Sequence, residues 1–175
     1  MATADERDSA RRAEILEAAK SCFLRYGYGK TSLDDIAKQA GLSRPLLYRK
    51  FANKEAIFSA VYDAVFLAQF DQAVPIASGP GTKQDRLLRM VEVVCVEPYS
   101  LILQAPMASE FWAACEQVIP EILLDHRKKW RVLLATVLPK DLVEVFDLAL
   151  DGLYADIPTA AVYRKRIAVL VKRFT

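Results

Sequence analysis

Histidine is almost absent from this chain of 175 residues; His126 is the single one. A HExxH zinc site or a multi-histidine metal centre is hard to build from that, and so is a histidine-based catalytic triad. His126 sits in the charged stretch Asp125-His126-Arg127-Lys128-Lys129 and reads as a surface residue. Cysteine is also sparse: Cys22, Cys95 and Cys115 are odd in number, far apart and in no CxxC pair. That argues against a disulfide or zinc framework and fits a reducing cytosol. The three read as small buried hydrophobes, with a thiol sensor as the alternative. Only 6 glycines are present, and no GxSxG, GxxxxGK[ST] or GxGxxG occurs, so no nucleophile elbow or phosphate loop is expected. No apolar run reaches the length of a membrane span. The first residues, Met1-Ala2-Thr3-Ala4-Asp5-Glu6-Arg7-Asp8, are polar and lack the apolar core of a secretory signal. These absences point away from an enzyme, a metal or other cofactor, and a membrane partner, and towards the cytoplasm.

What is present is helical periodicity. The chain is 53% hydrophobic. Ile15, Leu16, Ala19, Cys22, Phe23 and Tyr26 lie on one face of a helix over residues 9–27, ended by Gly27. Thr31 and Ser32 are each good N-caps, followed three residues later by Asp34 and Asp35. Leu33, Ile36, Ala37 and Ala40 continue a short second helix, which Gly41 stops. Ser43 caps a third, with Pro45 in its first turn, where a missing N–H costs nothing. Asn53 caps a fourth, running to about residue 72. Val74–Gly81 reads as a linker. Beyond it Pro98, Pro106, Pro120, Pro139 and Pro158 mark further units whose apolar spacing stays helical. The expectation is an all-α chain of eight or nine helices.

Residues 31–51 form cap, short helix, small residue at Ala37, Gly41, cap and second short helix. That is the logic of a helix-turn-helix, whose second helix fits a major groove. The charge follows the same map. The whole chain carries a formal +2, but residues 25–54 hold seven bases against Asp34 and Asp35, a local +5. Residues 61–175 hold 13 bases and 14 acids. The positive field therefore sits on the helix-turn-helix.

These residues resemble a known family. Ile15-Leu16-Glu17-Ala18-Ala19, Phe23, Tyr26-Gly27-Tyr28, Thr31 through Ser43, and Leu47-Tyr48-Arg49-Lys50-Phe51-Ala52-Asn53-Lys54-Glu55 are similar in order and spacing to the TetR/AcrR family of bacterial transcriptional regulators. The resemblance covers about 55 residues. It implies an N-terminal three-helix bundle with a helix-turn-helix, followed by a helical regulatory and dimerisation domain. The boundary is set at 1–53 and 54–175. It also implies a homodimeric repressor that binds a palindromic double-stranded DNA operator and is released by a small, mostly apolar effector. By the resemblance Tyr48 meets a phosphate, as does Lys54 at the start of the fourth helix. Thr31 and Ser32 contact the backbone. Arg44 reaches base edges, where arginine pairs best with guanine. Lys50 is a second base-edge residue and Arg49 a phosphate contact. Pro45 and Leu46 stand where the family often has glycine and a small or hydroxyl residue; Leu46 would pack on thymine methyls.

The second half is less specific. Phe66, Phe111, Trp112 and Trp130 are the expected ligand-lining residues, with ordinary core packing the alternative. Glu110 or Asp125 would meet a cationic ligand, or else lie exposed. Leu142, Phe146 and Leu153, then Tyr163, Ile167, Leu170 and Phe174, give the last two helices wide apolar faces. In the family the last two helices of each subunit form a four-helix interface, so these seven are the expected dimer contacts.

Overall fold

The structure is a computed structural model, and residues 3–175 are described. Met1 and Ala2 of the polar N-terminal stretch lie outside the described residues. Those described form ten α-helices, one π-helical turn and no strand. The helices are α1 (Ala4–Tyr26), α2 (Leu33–Gln39), α3 (Arg44–Lys50), α4 (Lys54–Ala77) and α5 (Lys83–Val91). The π turn (Glu92–Val96) follows, then α6 (Glu97–Leu103), α7 (Ala108–Val118), α8 (Pro120–Leu134), α9 (Lys140–Gly152) and α10 (Ala160–Phe174).

Local chemistry sets the boundaries. α1 begins earlier than the apolar periodicity indicates, because Thr3 caps it. The Thr3 side chain accepts from the Glu6 N–H at 3.2 Å, and the Glu6 carboxylate takes the Thr3 N–H at 2.7 Å. Ser32 with Asp35, and Thr82 with Asp85, start α2 and α5 in the same way. Prolines behave less simply than the sequence suggests. The expected linker at Val74–Gly81 is shortened, since α4 runs through Pro75 to Ala77. Ala73 and Ala77 are fully or almost fully buried there, and this burial outweighs the hydrogen bond lost at Pro75. Pro98 does not end a unit either. It follows a π turn in which the Glu97 N–H reaches back to the Glu92 carbonyl. Buried Val96, Tyr99 and Ile102 carry the helical run onward. Pro120 opens α8 at its first position, as a proline there should.

The chain divides into two compact units. The first holds the residues up to Ala64 together with Gln104–Leu123; the second holds Val65–Leu103 and Leu124–Thr175. This division differs from a cut at residue 53, because α7 belongs with the N-terminal helices. In the first unit α1 packs on α2, α2 on α3, and α7 on α1. Its centre is aromatic. Phe58 meets Phe23 at 5.0 Å, Tyr28 at 4.9 Å and Phe111 at 5.3 Å between ring centroids. Ile15, Ile36, Leu47 and Ile57 are fully buried around it.

In the second unit α10 packs on α5, the π turn and α9. Tyr99, Tyr154 and Tyr163 cluster, and the Tyr99 hydroxyl donates to the Pro158 carbonyl at 2.7 Å. A charged seam joins α8 to α9. Arg131 donates to the buried Asp147 carboxylate at 2.6 Å, and Arg127 pairs with Asp151. The hydrogen bond to Asp147 holds the Arg131 guanidinium above its ordinary pKa.

Candidate nucleic-acid interface

α2, the turn after it and α3 build the helix-turn-helix. Gly41 has φ +65°, in the left-handed region, and nothing crowds the place where a Cβ would stand. The Leu42 N–H bonds the Ala37 carbonyl at 2.9 Å, and the Gly41 N–H bonds the Lys38 carbonyl at 3.2 Å. This pair is a Schellman motif, so α2 stops where the sequence says it should. Ala37 is buried, which lets the two helices approach. Leu47 is buried too and anchors α3.

Anchoring α3 through Leu47 turns its remaining side chains outward. Arg44, Pro45, Tyr48 and Arg49 are exposed; Leu46 and Lys50 are half-buried. Tyr48 keeps 48% of its surface. Two cations on this face are held by acids: Arg44 pairs with Asp34 of α2, and Lys50 pairs with Asp8 of α1. Ser32 is exposed and spends its hydroxyl on the Asp35 capping box. Those hydrogen bonds hold the Asp35 carboxyl below its ordinary value.

Two expected contact residues face inward instead. Thr31 is buried, and its hydroxyl donates to the carbonyls of Gly27 (2.7 Å) and Cys22 (3.2 Å). Lys54 lays its ammonium 4.3 Å from the centre of the Tyr28 ring. It donates to the carbonyls of Tyr28 (2.7 Å), Thr31 (3.0 Å) and Gly29 (3.4 Å). An ammonium has three N–H groups, and all three are used. Lys54 staples the start of α4 to the loop between α1 and α2, and its N–H groups are spent on that loop rather than offered to a phosphate.

The sequence reasoning missed what holds that loop on its other side. Glu110 of α7 accepts the Gly29 N–H at 3.0 Å, and the Met107 N–H bonds the Leu24 carbonyl at 3.2 Å. Gly27 has φ +83°, and a Cβ there would collide with the Glu110 carboxylate. The two glycines leave room for that carboxylate, a signal visible in the sequence only as Gly27-Tyr28-Gly29. Beside them lies an open cleft of about 320 Å³, lined by Arg25, Tyr26, Lys30, Asp35 and Met107.

The expected ligand residues are divided between the two units. Phe111 is buried against Phe58 in the first unit, with Trp112 beside it at 6.1 Å. Phe66 and Trp130 belong to the second unit. His126 is buried rather than on the surface, its ring stacked on Phe66 at 3.8 Å. Glu110 is committed to Gly29 and Asp125 pairs with Lys129, which lowers the Asp125 pKa. Of the seven expected dimer residues, Phe146, Tyr163 and Ile167 are buried in the second unit's own core. Leu142, Leu153, Leu170 and Phe174 are half-buried, and Phe174 packs edge-on against Phe146 at 5.2 Å. The stripes left exposed on these helices are others: Val145 and Leu148 on α9, Val162 and Val169 on α10.

An all-helical chain whose basic segment folds as a helix-turn-helix has the arrangement used by DNA-binding regulators. Comparison with known proteins agrees. The sequence profile of the bacterial regulatory proteins of the tetR family matches residues 15–61. The transcriptional repressor Rv1474c of Mycobacterium tuberculosis (strain ATCC 25618 / H37Rv) is 28% identical over 174 residues, covering 93% of this chain and 90% of that protein. Two other curated regulators, each 41% identical over 54 residues, are matched over only 26% of their length. Among solved structures, a putative transcriptional regulator from Pseudomonas aeruginosa PAO1 superposes with a TM-score of 0.72 at 21% identity, covering 96% of this chain and 95% of that one. FadR from Bacillus subtilis, solved with stearoyl-CoA, gives 0.69 at 16% identity, covering 91% and 97%. Over residues 15–61 the chain matches the tetR family of bacterial regulatory proteins, and along most of its length it is similar to a helix-turn-helix transcriptional repressor.

Proposed function

We propose that this protein is a homodimeric repressor acting in the cytoplasm. Residues 1–53 read a palindromic operator, and residues 54–175 sense a small, mostly apolar effector and dimerise. The observation that carries the DNA reading is α3 itself, anchored by Leu47 and presenting Arg44, Tyr48 and Arg49 outward. Two such helices in a dimer enter successive major grooves. Arg44 and Lys50 reach base edges, exchanging Asp34 and Asp8 for DNA. Tyr48, Arg49 and Ser32 meet phosphates, and Pro45 with Leu46 lies against the groove floor. Thr31 and Lys54 support this face from inside. Arg25 and Lys30, on the rim of the neighbouring cleft, add positive charge.

Rv1474c is a repressor, which supports repression as the direction of control. FadR binds an acyl-CoA on this fold, which supports a small effector. Phe66 and Trp130 are kept as effector residues. Phe111 is taken up by packing on Phe58, with Trp112 beside it, and neither is an effector residue in this reading. The dimer face centres on the exposed Val145, Leu148, Val162 and Val169, whereas Phe146, Tyr163 and Ile167 are buried in the unit's own core. Among the described residues no helix is long and apolar enough to cross a membrane.

A titration of the purified protein against the DNA flanking its own gene, over a range of salt, tests the reading. Arg44→Ala is expected to cost about 1–3 kcal/mol and to relax specificity at one position. Arg49→Ala is expected to weaken all sequences alike and reduce the salt slope by about one unit. Absence of salt-dependent binding to any duplex overturns it.

A further inference from the structure

Among the buried polar atoms that the second unit leaves without a hydrogen bond are a donor on α8 and an acceptor on α4. Trp130 on α8 is only 5% exposed, and its Nε1–H has no acceptor. Gln69 on α4 has a buried Oε1 with no donor. The fold places both beside the same aromatic stack. Phe66 of α4 lies on His126 of α8, ring centroids 3.8 Å apart and planes within 9°. Gln69 is three residues after Phe66, and Trp130 is four residues after His126. Residues three or four apart on a helix are surface neighbours, with Cβ atoms about 5–6 Å apart. Gln69 is therefore a surface neighbour of Phe66 on α4, and Trp130 of His126 on α8. Phe70 extends the aromatic surface, 5.5 Å from Phe66 and nearly parallel to it.

Buried polar groups in folded proteins are almost always paired, so an unpaired donor and acceptor flanking one aromatic face call for an occupant that pairs both. We propose that this α4–α8 face binds a small, neutral, planar molecule carrying a hydrogen-bond acceptor for Trp130 Nε1–H and a donor for Gln69 Oε1. That is the chemistry of an aromatic carboxamide: the ring lies against Phe66 and Phe70, its carbonyl accepts from the indole and its N–H donates to the glutamine. A charged carboxylate offers no donor, and a bare hydrocarbon offers neither group. The proposal deepens the effector reading and rests on it.

The test uses the full chain with a Trp112→Phe substitution, so that Trp130 alone reports by fluorescence. Benzamide is titrated beside benzoate and toluene. The expected result is a saturable change with benzamide, and binding at least tenfold weaker for benzoate and toluene. Gln69→Leu and Trp130→Phe should each lose about tenfold in benzamide affinity, Trp130→Phe being read by calorimetry. Circular dichroism and melting temperature establish that each variant is folded. Equal binding of benzamide and toluene, no effect of either folded variant, or no saturable benzamide binding overturns the proposal. DNA titrations with and without benzamide are read separately. Benzamide binding that leaves DNA affinity unchanged upholds this site and removes the effector reading. A different small molecule that releases DNA without sensing Gln69→Leu or Trp130→Phe upholds the effector reading and removes this site.

Discussion

Gly41 and Ile157 are mirror cases of one backbone cost. Both have positive φ, +65° and +51°. Gly41 has no Cβ to strain, and open space surrounds the place where one would stand. Gly41→Ala is therefore expected to cost about 1–2 kcal/mol from conformation alone, measured by chemical denaturation. Ile157 is β-branched, 54% exposed, and carries that strain already. Ile157→Gly is expected to leave stability unchanged or raise it by up to about 1 kcal/mol in the same assay, because relief of strain opposes the chain entropy glycine adds. Lys54 is a different case. Its position at the start of a helix suggests a surface cation, yet its ammonium closes a loop of carbonyls. Lys54→Met keeps the stem and removes the donors, leaving three carbonyls to find water. A loss of about 1–3 kcal/mol is expected; a melting temperature equal to that of the parent would show that the staple contributes nothing.

The helices start on side chains that act as short-range switches of structure. Asp35 and Asp85 each accept from a hydroxyl and from the backbone N–H of the same N-cap residue, Ser32 or Thr82, and both carboxyls are held below the ordinary 3.8. A folded-state pKa depressed in this way gives stability that is present above pH 3.8 and lost as pH falls through the folded value. Helicity followed by circular dichroism should therefore decline in that acid window, and Asp35→Asn should flatten the decline. The Ser32–Asp35 box was legible in the sequence because cap and partner are three residues apart. The π turn before Pro98 was not, nor the passage of α4 through Pro75. Each depends on whether burial of the next turn outweighs a lost hydrogen bond, and burial is not a local quantity.

For the molecule as a whole, charge and apolar surface are sorted along the chain. The basic segment 25–54 falls within one compact unit, and the exposed valines and leucines of α9 and α10 within the other. The proposed dimer face predicts that Val145→Glu with Leu148→Glu yields a monomer by sedimentation while helicity is retained. A dimer unchanged by both substitutions would place the interface elsewhere. DNA affinity of such a monomer should fall far more than that of either half-site contact variant, since two linked recognition helices bind as one ligand.

The sequence by itself determined the all-α class, the helix-turn-helix, its basic field and the family resemblance of its first third. Caps, a left-handed glycine, 3.6-residue periodicity and a run of cations are written within one or two turns of chain. Only the tertiary structure decided where side chains were spent. Thr31 and Lys54 turned inward because the loop carbonyls of residues 22–31 met them there. Glu110 reached Gly29 across 81 positions of sequence. Phe146, Tyr163 and Ile167 went to the core because a helix with apolar residues on two stripes does not state which one its neighbours will cover. That choice belongs to the packing of faces distant in sequence, and periodicity carries no record of it.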